Sequence, residues 1–256
     1  MKIEQVAVQL YTLRDHIITA EGLASSLKKI RNIGYQAAQL SAVGPIEESE
    51  IVRIAQGEGV TLCATHEPSD LILNQPEQVV ERLKKLNIKD TAYPYPGGVD
   101  FADPRSVDEL IAKLKNAGQV LKDNGLRLSY HNHGIEFVRM NGKTVLDRIY
   151  DEIPADILLA ELDTYWVQYG GGDPVAWCQK MPGRMPLLHA KDYTFTTENK
   201  PIYCEIGQGN LDFPAIVQAA EASGMEWFIV EQDVCPGDPF DSLKISFDYI
   251  ANSLVS

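Results

Sequence analysis

Short apolar runs alternate along this chain with longer stretches whose apolar residues recur at helical spacing. Val6-Ala7-Val8-Gln9-Leu10-Tyr11 predicts a first strand, and Leu23, Leu27 and Ile30 mark one stripe of a helix that Gly34 ends. Tyr35 to Leu40 predicts a second strand, and Glu47 to Gln56 a second helix closed by Gly57 or Gly59. Val60 to Thr65 is a third strand with His66 at its end. Pro76, a favourable first-turn residue, opens a helix carrying Val79, Val80, Leu83 and Leu86. Lys89 to Tyr93 is the fourth strand. The next helix has Val107, Leu110, Ile111, Leu114 and Leu121 at 3.6-residue spacing, with Asn124-Gly125 as its stop.

The second half repeats the rhythm. Leu126 to Tyr130 is a buried strand, followed by a helix from about Lys143 to Asp151. Ile157 to Leu162 leads to Asp163, and a helix around Pro174 to Gln179 precedes Met185 to Leu188, which leads to His189. A long loop containing Gly207-Gln208-Gly209 comes before a helix at Phe213 to Ala222. Trp227 to Val230 then ends at Glu231, and Leu243, Phe247, Ile250 and Leu254 line a last helix. Alternating strands and helices imply a parallel sheet, and eight such units in this length imply an α/β fold closed as a single (β/α)8 TIM barrel over residues 1–256. An open doubly wound sheet normally places a glycine-rich turn after its first strand, and Tyr11-Thr12-Leu13-Arg14-Asp15 has no glycine.

Composition narrows the setting. The formal charge of −13 disfavours nucleic acid, whose phosphates would be repelled. Cys63, Cys178, Cys204 and Cys235 form no CxxC pair, which fits reduced thiols better than a disulfide framework. No apolar run approaches a membrane span, and Val6 to Tyr11 reads as a strand rather than part of a signal peptide. A cytoplasmic protein that does not enter a membrane is the expectation.

Chemistry collects where the later strands end. Tyr130-His131-Asn132-His133-Gly134-Ile135-Glu136-Phe137 gathers two imidazoles, an amide and a carboxylate just past a strand, and Asp163, His189 and Glu231 each follow their own apolar run. Parallel barrel strands point their C-terminal ends at one rim, so these groups can share a centre. Carboxylates held that close repel one another unless a divalent cation joins them. An oxygen-rich set with one imidazole suits Mn2+ first, with Mg2+, Co2+ or Zn2+ as alternatives. Glu161 competes with Asp163, and Asp233 with Glu231, because residues two apart share a strand face.

The motifs HNHxxEF (131–137), LDxYW (162–166), HxKD (189–192), GQGN (207–210) and VEQD (230–233) appear in this order. With them the chain resembles the xylose isomerase-like barrel family of sugar-phosphate isomerases and epimerases, which also holds inosose dehydratases and AP endonucleases. The resemblance spans nearly the whole chain and is looser in the first 60 residues. It implies that Glu136, Asp163, His189 and Glu231 hold one divalent metal ion. It also implies an isomerase or epimerase acting on a sugar, sugar phosphate or keto-sugar by proton transfer through a metal-stabilised enediolate, with Glu136 and Glu231 moving the proton.

His131, His133 and Lys191 are further candidates for proton transfer, and His66, Trp166 and Gln208 for contact with substrate. Each has an ordinary alternative: a satisfied histidine, an ion-paired lysine, an aromatic packed under a loop, a turn. Asp192 has the simplest reading of all, a loop cap. Loss of a β-hydroxyl after the same proton abstraction would give a dehydratase or lyase acting on a keto-inositol or 3-keto-sugar. A nuclease would need more metal ligands and a basic groove, against five histidines and this charge. A non-catalytic binding barrel would have a broken ligand set. Association as a homodimer or homotetramer is a default expectation for such barrels.

Overall fold

The computed structural model describes residues 1–255. Eight parallel strands close a barrel: β1 (Val6–Gln9), β2 (Ala37–Leu40), β3 (Thr61–His66), β4 (Asp90–Tyr93), β5 (Arg127–His131), β6 (Leu159–Asp163), β7 (Leu187–Ala190) and β8 (Trp227–Val230). Each neighbours the next, and β8 pairs with β1. The main helices between and after them are α1 (Ala20–Ile33), α2 (Glu48–Gly57), α3 (Pro76–Leu86), α4 (Pro104–Asp123), α5 (Val145–Glu152), α6 (Pro174–Gln179), α7 (Phe213–Ala222) and α8 (Pro239–Ser253). The (β/α)8 barrel expected from the periodicity is the observed fold. No helix among the described residues is long and apolar enough to cross a membrane.

Small elements that the pattern left as loop sit at the C-terminal rim. Short helices occupy Ser69–Asn74 and Thr164–Tyr169, and an antiparallel hairpin pairs Asp192–Phe195 with Pro201–Cys204. The second helix starts directly on β6 because the Asp163 carboxylate accepts from the Trp166 N–H through Oδ1, capping its first turn.

Side chains alternate along each strand, and the two faces have different compositions. Outward residues such as Val6, Val8, Leu128, Tyr130, Leu162, Leu188 and Phe228 join the main apolar core beneath the helices. The inward residues make a much smaller apolar floor of Ala7, Ala37, Cys63, Ala64, Leu187 and Ile229. Two residues further up, the inward side chains become polar: Ala7 gives way to Gln9, Ala37 to Gln39, Leu187 to His189 and Ile229 to Glu231.

β3 carries one irregularity. Ala38 pairs with Leu62, but Gln39 pairs with Ala64, so Cys63 is an extra residue on its strand. This β-bulge reverses the inside–outside parity above it. Thr65 therefore faces outward and hydrogen-bonds Thr91 (2.8 Å), while His66 turns into the barrel. At the opposite, N-terminal rim, Arg127 donates to Asp90 (2.5 and 2.7 Å) and to Glu226 (2.6 and 2.7 Å).

Candidate metal centre and active site

The inward ladder places two overlapping groups of ligand-type side chains at the C-terminal end of the barrel. His131, Asp163, His189 and Glu231 offer ligand atoms that all lie within 4.8 Å of one another, and all four residues are buried. His66, His131, Glu161 and His189 meet the same criterion one step deeper. Asp163 and Glu161, competitors by spacing, thus both point inward, at successive levels.

Glu136 departs from expectation. A 3-10 turn at Ile135–Phe137 carries it away from both groups, and it is fully buried. Its Oε1 accepts from Tyr130, an outward-facing residue of β5, at 3.0 Å, and its Oε2 from the His133 N–H at 2.8 Å. Burial pushes its pKa up to about 7 against those hydrogen bonds. Glu136 clamps the loop from behind, and the fourth member of the rim group is His131.

Hydrogen bonds tell the two groups apart. The Tyr11 N–H fixes the Gln9 amide through Oε1 (3.3 Å), so Gln9 Nε2 donates to Gln39 Oε1 (2.9 Å). Gln39 Nε2 in turn donates to Glu161 Oε1 at 2.6 Å. Gln39 Oε1 is then left to accept from His189 Nε2, 2.6 Å away. The network fixes a His189 proton on Nε2, so Nδ1, which without an ion donates to Glu231 Oε2 at 2.9 Å, is the nitrogen free to give up its proton to a metal. His66 Nε2 donates to Glu161 Oε2 at 2.5 Å. Apart from His131, the deeper group is therefore closed by its own bonds. Glu161 acts on His189 as an orienting carboxylate acts on a metal-ligating imidazole.

The rim group has open valences. Asp163 Oδ2 is buried and accepts no hydrogen bond, since Oδ1 serves the helix cap. His131 reaches both levels: Nε2 lies 3.9 Å from Asp163 Oδ2, and Nδ1 3.2 Å from Glu161 Oε2 without hydrogen-bond alignment. Burial raises Asp163 to about 6, partly offset by Lys191 and His189. For Glu231, burial is outweighed by Lys191 and His189, which hold its carboxyl well below the usual range. Burial also opposes the charged form of His189, yet Glu161 and Glu231 lift it to about 10. Two carboxylates and two imidazoles, buried and convergent, with Asp163 Oδ2 and His131 Nδ1 lacking a hydrogen bond, fit a divalent transition-metal ion by donor chemistry.

Lys191, on the same inward face as His189, reaches the same place. Its Nζ lies 2.8 Å from Glu231 Oε2, 3.2 Å from Asp163 Oδ2 and 3.0 Å from Asp233 Oδ2. Thr164 holds the strand end that carries it, donating to the Lys191 carbonyl and accepting from its N–H. Above this cluster opens a cavity of about 270 Å3 lined by Tyr11, His66, Tyr95, His131, His133, Lys191, Glu231 and Asp233. His133 packs edge-on to Tyr95 and against Trp166, and burial, with Lys191 nearby, lowers its pKa to about 3. His133 Nδ1 and Trp166 Nε1 have no partner. Gln208 is exposed and does not line the cavity.

Residues 27–251 match the xylose isomerase-like TIM barrel family. The chain belongs to that family. Comparison with curated proteins finds none that matches. Among solved structures, a sugar phosphate isomerase/epimerase from Parabacteroides distasonis ATCC 8503 superposes with a TM-score of 0.84 at 18% identity, covering 99% of this chain and 95% of that one. A xylose isomerase-like TIM barrel protein from Mycobacterium smegmatis in complex with magnesium gives 0.74 at 13% identity, covering 97% and 95%. The probable 3-DHS dehydratase AsbF from Bacillus anthracis gives 0.75 at 12% identity, covering 99% and 100%. At such identities these likenesses speak for the shared barrel.

Proposed function

We propose that this family member is a divalent-metal-dependent isomerase or epimerase of a sugar or keto-sugar, working by proton transfer next to a carbonyl. The observation that carries the reading is the convergence of His131, Asp163, His189 and Glu231 beneath an open cavity, with the buried Asp163 Oδ2 left without a hydrogen bond. These four would hold the ion, and the two imidazoles favour Mn2+, Co2+ or Zn2+ over Mg2+. When bound, such an ion supplies Lewis-acid polarisation of a carbonyl and charge to stabilise an oxyanion.

The chain's own groups do the rest. Glu231 stays ionised and lines the cavity, so it takes the proton from the carbon next to the carbonyl. The Lys191 ammonium faces the developing oxyanion and has Asp233 as a partner outside the ligand set. His133, neutral and with Nδ1 free, hydrogen-bonds a substrate hydroxyl. His66 steadies the floor of the site through Glu161, and Glu136 holds the loop that aims His133. Were a hydroxyl to leave after proton abstraction, Lys191 is placed to protonate it, which would make the protein a dehydratase.

The test is proton exchange. Protein loaded with Mn2+ should exchange the carbon-bound proton of its ketose substrate with solvent deuterium, seen by NMR, and a chelator should stop it. Loss of water would move the assignment to dehydratase. No exchange with any ketose, inosose or 3-keto-glucoside would defeat the reading.

A further inference from the structure

We infer that the substrate of this site is an uncharged sugar or keto-sugar rather than a phosphate ester; the inference rests on the proposed function and narrows it. A phosphate monoester carries close to two negative charges and needs several donors or cations to leave water. Among the described residues lining the cavity, Lys191 is the one lysine or arginine, and three carboxylates already surround its Nζ within 3.2 Å. With His189 neutral as a ligand of the ion, Asp163, Glu161, Glu231 and Asp233 set four carboxylates against Lys191 and one divalent ion. An added dianion would meet net repulsion.

Arg14 is the next cation along the rim. Its Nη1 and Nη2 donate to the carbonyls of Tyr11 (3.0 Å) and Asp233 (3.0 Å), and it lines a separate hollow with Asp15 and Asp233.

Barrels of this kind can also seat a phosphate on backbone N–H groups in the loops after the last strands. Here the matching loop has such a nest, and it is filled from within. Asp192, one residue past Lys191, accepts from the N–H groups of Gly207 (3.0 Å), Gly209 (3.0 Å) and Leu211 (3.3 Å). A side chain at position 209 would run into that carboxylate, and Gly207 has φ +84°, so the turn is shaped around Asp192. The donors that could have held a phosphate instead bind an internal anion.

What remains suits a neutral polyol. Tyr11 and Tyr95 are 39% and 52% exposed at the mouth, offering faces for the C–H side of a sugar. Outside the ligand set, His133 Nδ1 in the cavity lining and Trp166 Nε1, on the ring packed against His133, are buried without a hydrogen bond, enough to fix hydroxyls and too few to solvate a dianion.

The experiment uses matched pairs: D-fructose with D-fructose 6-phosphate, and L-ribulose with L-ribulose 5-phosphate. Deuterium exchange is followed by NMR with the Mn2+-loaded protein, and binding by saturation-transfer NMR with the protein loaded with diamagnetic Zn2+. The expected result is exchange at least tenfold more efficient for the free ketoses. Equal or faster exchange of the esters would overturn the inference and leave the isomerase reading intact. Exchange with none of them would count against the isomerase reading, and binding then decides this one. Binding of a free ketose but not its ester upholds it, whereas binding of the ester as tightly, or of neither, overturns it.

Discussion

The two rims of the barrel both bury charge, and they treat it in opposite ways. At the N-terminal rim, Arg127 meets Asp90 and Glu226 through four hydrogen bonds of 2.5–2.7 Å, and cation and anions satisfy one another. At the C-terminal rim, three carboxylates share one lysine, and Asp163 Oδ2, His131 Nδ1, His133 Nδ1 and Trp166 Nε1 are buried without a hydrogen bond. A fold that closes its polar groups at one end and leaves them open at the other has reserved the open end for something that is not protein. Buried charge alone would not have told the two ends apart; the unsatisfied atoms do.

Substitutions can separate a closed end from an open one. The largest effect is expected from Asp163→Asn, which keeps the Oδ1 cap of the Thr164–Tyr169 helix and removes one charge from the rim group. Metal-dependent proton exchange should fall roughly a thousandfold. Denaturation of the metal-free protein should move by less than about 1 kcal/mol. Arg127→Met should do the reverse. It strands Asp90, a nearly buried carboxylate, and should cost about 3 kcal/mol in urea unfolding. Metal affinity and exchange per folded molecule should stay near wild type. If both variants lose stability equally, the contrast between the rims is wrong.

Glu161→Gln probes the level between them. By disturbing the relay that sets the His189 proton on Nε2, it should weaken metal binding by roughly 10–100-fold in a chelator competition. Nitrogen-15 NMR of the His189 ring should show the tautomer change directly.

The smallest effect concerns Glu136. Its folded-state pKa, raised to about 7, lies above the unfolded value, so its contribution to stability is present in acid and fades as pH rises through 7. Glu136→Gln should remove that slope, gaining on the order of 1 kcal/mol relative to wild type between pH 5 and pH 8. A difference that stays flat with pH would remove the assigned cause.

The barrel was legible because each strand is an apolar run and most helices carry their own stripe. Phe213–Ala222 and Trp227–Val230 fall where periodicity puts them. The rim helix at Thr164–Tyr169 was hidden because its start depends on Asp163, a residue already claimed by the site. Of the expected ligands, Asp163, His189 and Glu231 converge, since each sits on a strand or directly after one, where alternation fixes its face. Glu136 lies five residues past the end of β5, where the 3-10 turn, and not the pleat, decides direction. Counting in twos from inward Ser129 reaches His131 and His133, and that parity was the signal available for the missing fourth group. Gln9 and Gln39 carried no signal of their own, because an amide in a strand gains meaning only from its neighbours across the lumen.

The extra residue at Cys63 has a consequence for how such a barrel can change. Without it, Thr65 would point into the lumen and His66 would be swallowed by the helical layer. Insertion or deletion of a single residue in the lower half of β3 would thus exchange an imidazole for a hydroxyl over the floor of the site, while every other wall residue kept its place. Such a stave can be re-keyed by length alone, giving a lineage a route to new chemistry beside substitution at the site itself.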